Sequence, residues 1–139
     1  MRRAVGYTVT VVYVVTCNPA LPDMVIAALK TSAVAHAPSG SAFIEKIVRD
    51  PIRKENCVLI DLATIPDGAH LISFIQSSPS IRHLPIVALG TPENFDSLPE
   101  GVESSLNGVV TAPYTAGELA AVIATVSEQQ LPRINIEET

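Results

Sequence analysis

Apolar positions along the chain fall into two kinds of grouping. Continuous runs occupy Thr8–Val15, Cys57–Ile60, Pro85–Leu89 and Gly108–Thr111. Between them, apolar residues recur every three or four positions: Leu21, Val25 and Leu29; Phe43, Ile44, Ile47 and Val48; Leu71, Phe74 and Ile75; Leu119, Val122, Ile123 and Val126. An uninterrupted run bounded by turn residues predicts a strand covered on both faces, as in a parallel sheet. The three-to-four spacing predicts helices that each bury one stripe. Ala33–Ala37 reads as a weaker further strand. Turn signals separate the groupings at Asn18-Pro19, Pro38-Ser39-Gly40, Asp50-Pro51, Pro66-Asp67-Gly68 and Pro113. Asn18 is placed to cap the first helix, with Pro19 at its first position. Residues 91–107 contain Pro92, Pro99 and Gly101, which predicts a short or irregular helix and a loop.

Five strands alternating with helices require crossover connections and so predict an α/β domain. The expected form is a doubly wound, five-stranded parallel sheet flanked by helices. Residues 1–128 supply one such domain. Residues 129–139 are polar, contain Pro132, and read as a tail or the start of a linker.

Composition narrows the functional classes. With 47% hydrophobic residues but no Trp and few aromatics, the core has to rest on Val, Ile, Leu and Ala. A net charge of -5 without a basic block argues against direct nucleic-acid binding. Cys17 and Cys57 form no disulfide framework or metal spacing, and His36, His70 and His83 offer no close ligand pair. No metal site is expected from them. Arg2-Arg3 before an apolar run has the look of a secretory signal, and Thr16-Cys17 that of a lipoprotein cleavage site. The run is rich in Val and Thr, carries Tyr7 and Tyr13, and is too short to span a bilayer, which favours a strand. A cytoplasmic location without membrane contact is the expectation.

The stretch Cys57–Gly68 carries the candidate chemistry. Its strand ends in one carboxylate, Asp61, and ligands in open α/β sheets bind at the carboxyl ends of the strands. The alternative is that Asp61 hydrogen-bonds the backbone N–H groups of its own turn. No glycine-rich phosphate loop, Ser-His-Asp arrangement or second acid beside Asp61 suggests an enzyme. Asp67, the nearest acid, lies in the Pro-Gly turn and shapes it. Thr16 and Asn18 are candidates to line a pocket with Asp61, or are turn and cap residues.

Three segments in order resemble the receiver domain of bacterial response regulators, a CheY-like, flavodoxin-like fold, over residues 8–128. They are Leu59–Gly68, Ile81–Leu89, and Gly108–Tyr114 followed by Glu118-Leu119. The resemblance implies that Asp61 takes the phospho-acceptor position. It also implies that Thr16 and Cys17 stand where two Mg²⁺-holding acids belong. Gly90, with Thr91 one residue on, stands in place of a hydroxyl residue, Ala112 in place of a lysine, and Val109 at the aromatic switch. Mg²⁺ prefers several oxygen ligands, usually with carboxylates among them. Phosphoryl transfer needs cations to neutralise developing charge. A degenerate, pseudo-receiver variant is therefore expected: no catalysis, no cofactor and no Mg²⁺. It would act in two-component phosphorelay signalling as a protein-interaction module. Its expected partner is a histidine kinase, an output domain or another signalling protein, and a homodimer through the fourth and fifth strand–helix units is possible. The alternatives are weak phosphorylation on Asp61, or an unrelated flavodoxin-like domain that binds a small ligand.

Overall fold

The structure, a computed structural model, describes residues 11–29, 33–49 and 57–130. Its elements alternate as the apolar pattern requires: β1 (Val11–Val15), α1 (Ala20–Leu29), β2 (Ala33–Ala37), α2 (Gly40–Arg49), β3 (Cys57–Asp61), α3 (Gly68–Ser77), β4 (Ile86–Gly90), α4 (Pro92–Asp96), β5 (Gly108–Thr111) and α5 (Ala116–Gln130). A single 3₁₀ turn, Glu103–Ser105, lies between α4 and β5. All four strand pairings are parallel, in the order β2-β1-β3-β4-β5. No helix among the described residues is long and apolar enough to cross a membrane.

Two cores follow from the two-faced sheet. On one face Tyr13, Val15, Val58, Ile60 and Ile86 meet Phe43 and Ile47 of α2 and Leu71, Ile72 and Ile75 of α3. On the other, Val12, Val14, Leu59, Val87 and Leu89 meet Leu21 and Val25 of α1 and Leu119, Ile123 and Val126 of α5. Every residue of β3 and β4 is buried, which explains the unbroken apolar runs 57–60 and 86–89 within them. The ring of Phe43 meets that of Tyr13 edge-on, with centroids 5.6 Å apart and planes at 80°. At the β5 edge, a Cβ on Gly108 would lie 2.8 Å from Val122 Cγ1, so glycine there lets α5 close onto the strand.

Several boundaries and faces differ from the sequence expectation. Two helical stripes are rotated. In α2 the buried positions are Gly40, Phe43 and Ile47, leaving Ile44 half-buried and Val48 76% exposed. In α3 they are Gly68, Leu71, Ile72 and Ile75, and Phe74 stands 42% exposed. With about 100° of turn per residue, Val48 and Phe74 each lie roughly a quarter-turn or more from the centre of their buried stripe. Strand β4 starts at Ile86 because the Pro85 carbonyl accepts from Val58 N–H while Pro85 itself has no N–H to give. Gln129 and Gln130 continue α5, which shortens the expected tail. The expected strand residues 8–10, the stop at Asp50-Pro51, the stretch 53–56 and the tail 131–139 lie outside the described residues. The expected irregularity of 91–107 takes the form of a five-residue α4 and the 3₁₀ turn.

The Tyr13–Phe43 contact anchors α2 to the sheet. Phe43→Ala should therefore lower the unfolding free energy by about 3–5 kcal/mol, the range for removing a fully buried ring, as read from urea denaturation. A loss below about 1 kcal/mol would show that α2 is not seated as described.

Candidate functional site

The candidate site forms where β1 and β3 end side by side. Their helices leave toward opposite faces of the sheet, the point at which such sheets open a crevice. Asp61 closes β3 and is only 5% exposed. Thr16, immediately after β1, is fully buried. Its backbone is held from both sides by β2: its N–H donates to the Ala37 carbonyl at 3.0 Å, and its carbonyl lies 2.9 Å from His36 Nε2.

The side chains of the two loops are joined through the carboxylate. Thr16 Oγ1 donates to Asp61 Oδ2 at 2.7 Å, and Thr64 Oγ1 donates to the same oxygen at 3.0 Å. The two hydroxyls are 3.2 Å apart. Each hydroxyl has one proton, so with both protons on Asp61 that short separation carries none. Each hydroxyl also accepts a backbone N–H: Thr64 from Cys17 at 3.0 Å, and Thr16 from Asn18 at 2.9 Å. Two chains thus run from amide through hydroxyl to carboxylate, and each link polarises the next. The second oxygen, Oδ1, accepts from Ala63 N–H at 3.3 Å. The expected bond to the turn backbone is present, but it is the longest of the three contacts that the carboxylate makes.

The remaining expected residues sit around this cluster with other duties. Cys17 is exposed, and its thiol donates to the Pro38 carbonyl at 3.1 Å. Asn18 accepts from Ala20 N–H at the start of α1, which is the cap role rather than the pocket role. Thr91 is spent on α4. It accepts from Asn94 N–H at 3.2 Å, while its own N–H donates to Asn94 Oδ1 at 2.8 Å, a reciprocal cap. The Asn94 side chain folds back over Gly90, where an added Cβ would meet Oδ1 at 2.8 Å. A hydroxyl residue at position 90 therefore conflicts with the cap. Ala112 is half-buried and precedes Pro113 through a cis peptide. Val109 is 46% exposed on β5. Asp67 takes the N-cap position of α3 without a side-chain cap bond.

Sequence reasoning missed three participants. Thr64 lies three residues after Asp61, a spacing at which a side chain returns to the same turn, and this was the available signal. His36 and Tyr114 carried none. Tyr114 is half-buried against the α1/α5 core, and its phenol is pushed above the ordinary range, first by burial and then by the negative charge of Asp61. The phenol thus feels the carboxylate without an expected motif announcing it. Cys57, in the middle of the sheet, is raised to about 12 by burial and is an inert apolar side chain there. No group of three His, Cys, Asp or Glu side chains able to hold a metal occurs among the described residues.

Neither a family model nor a curated protein matches the sequence. Solved structures do. The chain superposes on the chemotaxis response regulator CheY4 of Vibrio cholerae with a TM-score of 0.68 and 17% identity, covering 89% of this chain and 100% of that one. The signal receiver domain of a signal transduction histidine kinase from Syntrophus aciditrophicus gives 0.71 at 15% identity, covering 86% and 90%. A response regulator from Thermotoga maritima gives 0.71 at 15%, covering 87% and 99%. The chain has the fold of the CheY-like, flavodoxin-like receivers.

Proposed function

We propose that the chain is a receiver-like signalling domain of the two-component type in which Asp61 is not phosphorylated, and that it works by binding other proteins. The observation that carries this reading is the engagement of Asp61 Oδ2 by the Thr16 and Thr64 hydroxyls. A phospho-acceptor has to present its oxygen to a cation and an incoming phosphorus. Here that oxygen faces two neutral donors, the buried Thr16 hydroxyl and the half-buried Thr64 hydroxyl.

The residues present do not fit Mg²⁺. The ion asks for near-octahedral oxygen donors at short range. Beside Asp61 stand a hydroxyl already donating to it and a thiol donating to a carbonyl. With Ala112 in the lysine position, no ammonium stands there to neutralise developing charge. The site thus lacks the positive charge that phosphoryl transfer depends on. The switching apparatus is also reduced. Gly90 has no hydroxyl to be drawn toward a phosphoryl group, and Val109 is stiff about its first torsion with no ring to swing. A ligand shifts a population only where two arrangements differ in affinity for it. Histidine kinases, output domains and other signalling proteins are the partner classes this reading supports. A cytoplasmic setting and the absence of catalysis belong to it.

Two measurements check it. Incubation with acetyl phosphate and millimolar Mg²⁺ should leave the intact mass unchanged, and Mg²⁺ titration should produce no saturable shift of the Asp61 and Thr64 amides. A stoichiometric phosphoryl adduct that disappears in Asp61→Asn would overturn the reading. Separately, Thr16→Val removes a donor to Asp61 and an acceptor for the Asn18 N–H at nearly constant volume. It should lower the unfolding free energy by about 1–3 kcal/mol, measured in urea. Unchanged stability would mean that the hydroxyl bridge holds nothing together.

A further inference from the structure

An apolar groove of about 280 Å³ opens at one edge of the sheet, between the edge strand β5 and α5. Gly108, Val109, Val122 and Val126 line it with Asn107 and Thr125, and none of its lining side chains is charged. Its side-chain oxygens are already paired. Thr125 Oγ1 donates to the Ala121 carbonyl at 2.9 Å, and Asn107 Oδ1 accepts from the Ile86 N–H at 2.9 Å. What the groove offers is methyl groups, with Val109 46% exposed and Val122 half-buried. Contiguous exposed apolar surface of this kind marks a place where something docks.

The chain carries a cover for it at the right place. Helix α5 ends at Gln130, and its wall residues Val126 and Val122 lie about 6 and 12 Å back along the helix axis. Leu131-Pro132-Arg133-Ile134-Asn135-Ile136-Glu137 follows. Pro132 lacks the N–H that a further helical turn needs, and it biases Leu131 away from the helical region. It also suits the second position of a turn over 131–134, which reverses the chain. From Arg133 onward polar and apolar residues alternate, so an extended segment carries Ile134 and Ile136 on one side, about 7 Å apart. Five extended residues span about 16 Å, enough to return along α5 past Val126 to Val122. Residues 1–10, by contrast, enter the sheet at β1, three strands and about 14 Å from β5. A segment tethered at the groove's own wall acts at an effective concentration on the order of millimolar.

We infer that residues 131–137 fold back over the β5–α5 groove of their own chain, seating Ile134 and Ile136 against Val122 and the Gly108-Val109 edge of β5. Arg133, Asn135 and Glu137 then fall on the opposite side, toward water. The segment covers the groove without becoming a sixth strand. Helix α5 shares a face of the sheet with α1, and the unit β1–α1–β2 steps from that face toward the β2 edge. A parallel strand placed after α5 on the outer side of β5 would step the other way from the same face. That crossover is left-handed, the hand found in about 2% of such units. The inference does not depend on the state of Asp61, and it withdraws the β5 edge from the surfaces open to partners.

The test is nuclear Overhauser spectroscopy on the full chain with its Ile, Leu and Val methyls labelled and assigned. The expected result is cross-peaks from the Ile134 or Ile136 methyls to those of Val122 or Val109, unchanged on dilution. They should be absent between copies in a mixture of labelled and unlabelled protein. Ile134→Ser combined with Ile136→Ser should abolish these cross-peaks and shift the Val122 methyls. The methyls of Leu119 and Ile123, buried on the inner side of α5, should stay in place and show that the fold is intact. No cross-peak from residues 131–139 to the groove would overturn the inference. So would cross-peaks that appear only between two copies, or cross-peaks to Val122 from Val5 or Val9 instead.

Discussion

One carboxylate oxygen ties the carboxyl end of the sheet together. Asp61 Oδ2 receives protons from Thr16, at the end of β1, and Thr64, in the loop before α3. Those hydroxyls in turn hold the N–H groups of Asn18 and Cys17, which open the path into α1. Thr16 and Asp61 are buried, so removing either side chain leaves the other facing the penalty of a buried polar group short of a partner. The loop junction is therefore a polar network at the carboxyl end of an apolar sheet, with Asp61 Oδ2 at its centre.

Scaffold and chemistry are separate questions in this fold. The parallel sheet, buried on both faces, places an acid at the end of β3 whatever surrounds it. What the acid does depends on its neighbours, and fold alone does not fix function. Here those neighbours are the Thr16 and Thr64 hydroxyls, which join the ends of β1 and β3 through the carboxylate.

The scaffold was legible in the sequence because backbone and burial requirements coincide there. The runs Cys57–Ile60 and Gly108–Thr111 are apolar or strand-forming without alternation, and both are strands. The helical stripes gave the helices but not their rotation. Apolar positions at 47, 48, 74 and 75 satisfy more than one face, and only packing against Tyr13 and Ile86 selects which is buried. Asp61 was identifiable from its place at a strand end. Its network was only half legible: Thr16 was a candidate, and Thr64 had its spacing as a signal. Tyr114 and His36 come together with the site only through the strand order β2-β1-β3-β4-β5, which no local pattern encodes. Thr91 looked like a site hydroxyl because it neighbours Gly90, yet the short helix α4, with its Pro92 start, needs it as a cap.

The central claim is that Asp61 Oδ2 belongs to Thr16 and Thr64. A crystal structure determined after soaking with Mg²⁺ and beryllofluoride tests it most directly, because the pair mimics an acyl phosphate without requiring turnover. The expected result is an undisturbed carboxylate, both hydroxyls still within hydrogen-bond distance of Oδ2, and no added density. A beryllofluoride group bonded to Asp61, with a metal beside it and the threonine hydroxyls displaced, would contradict the account.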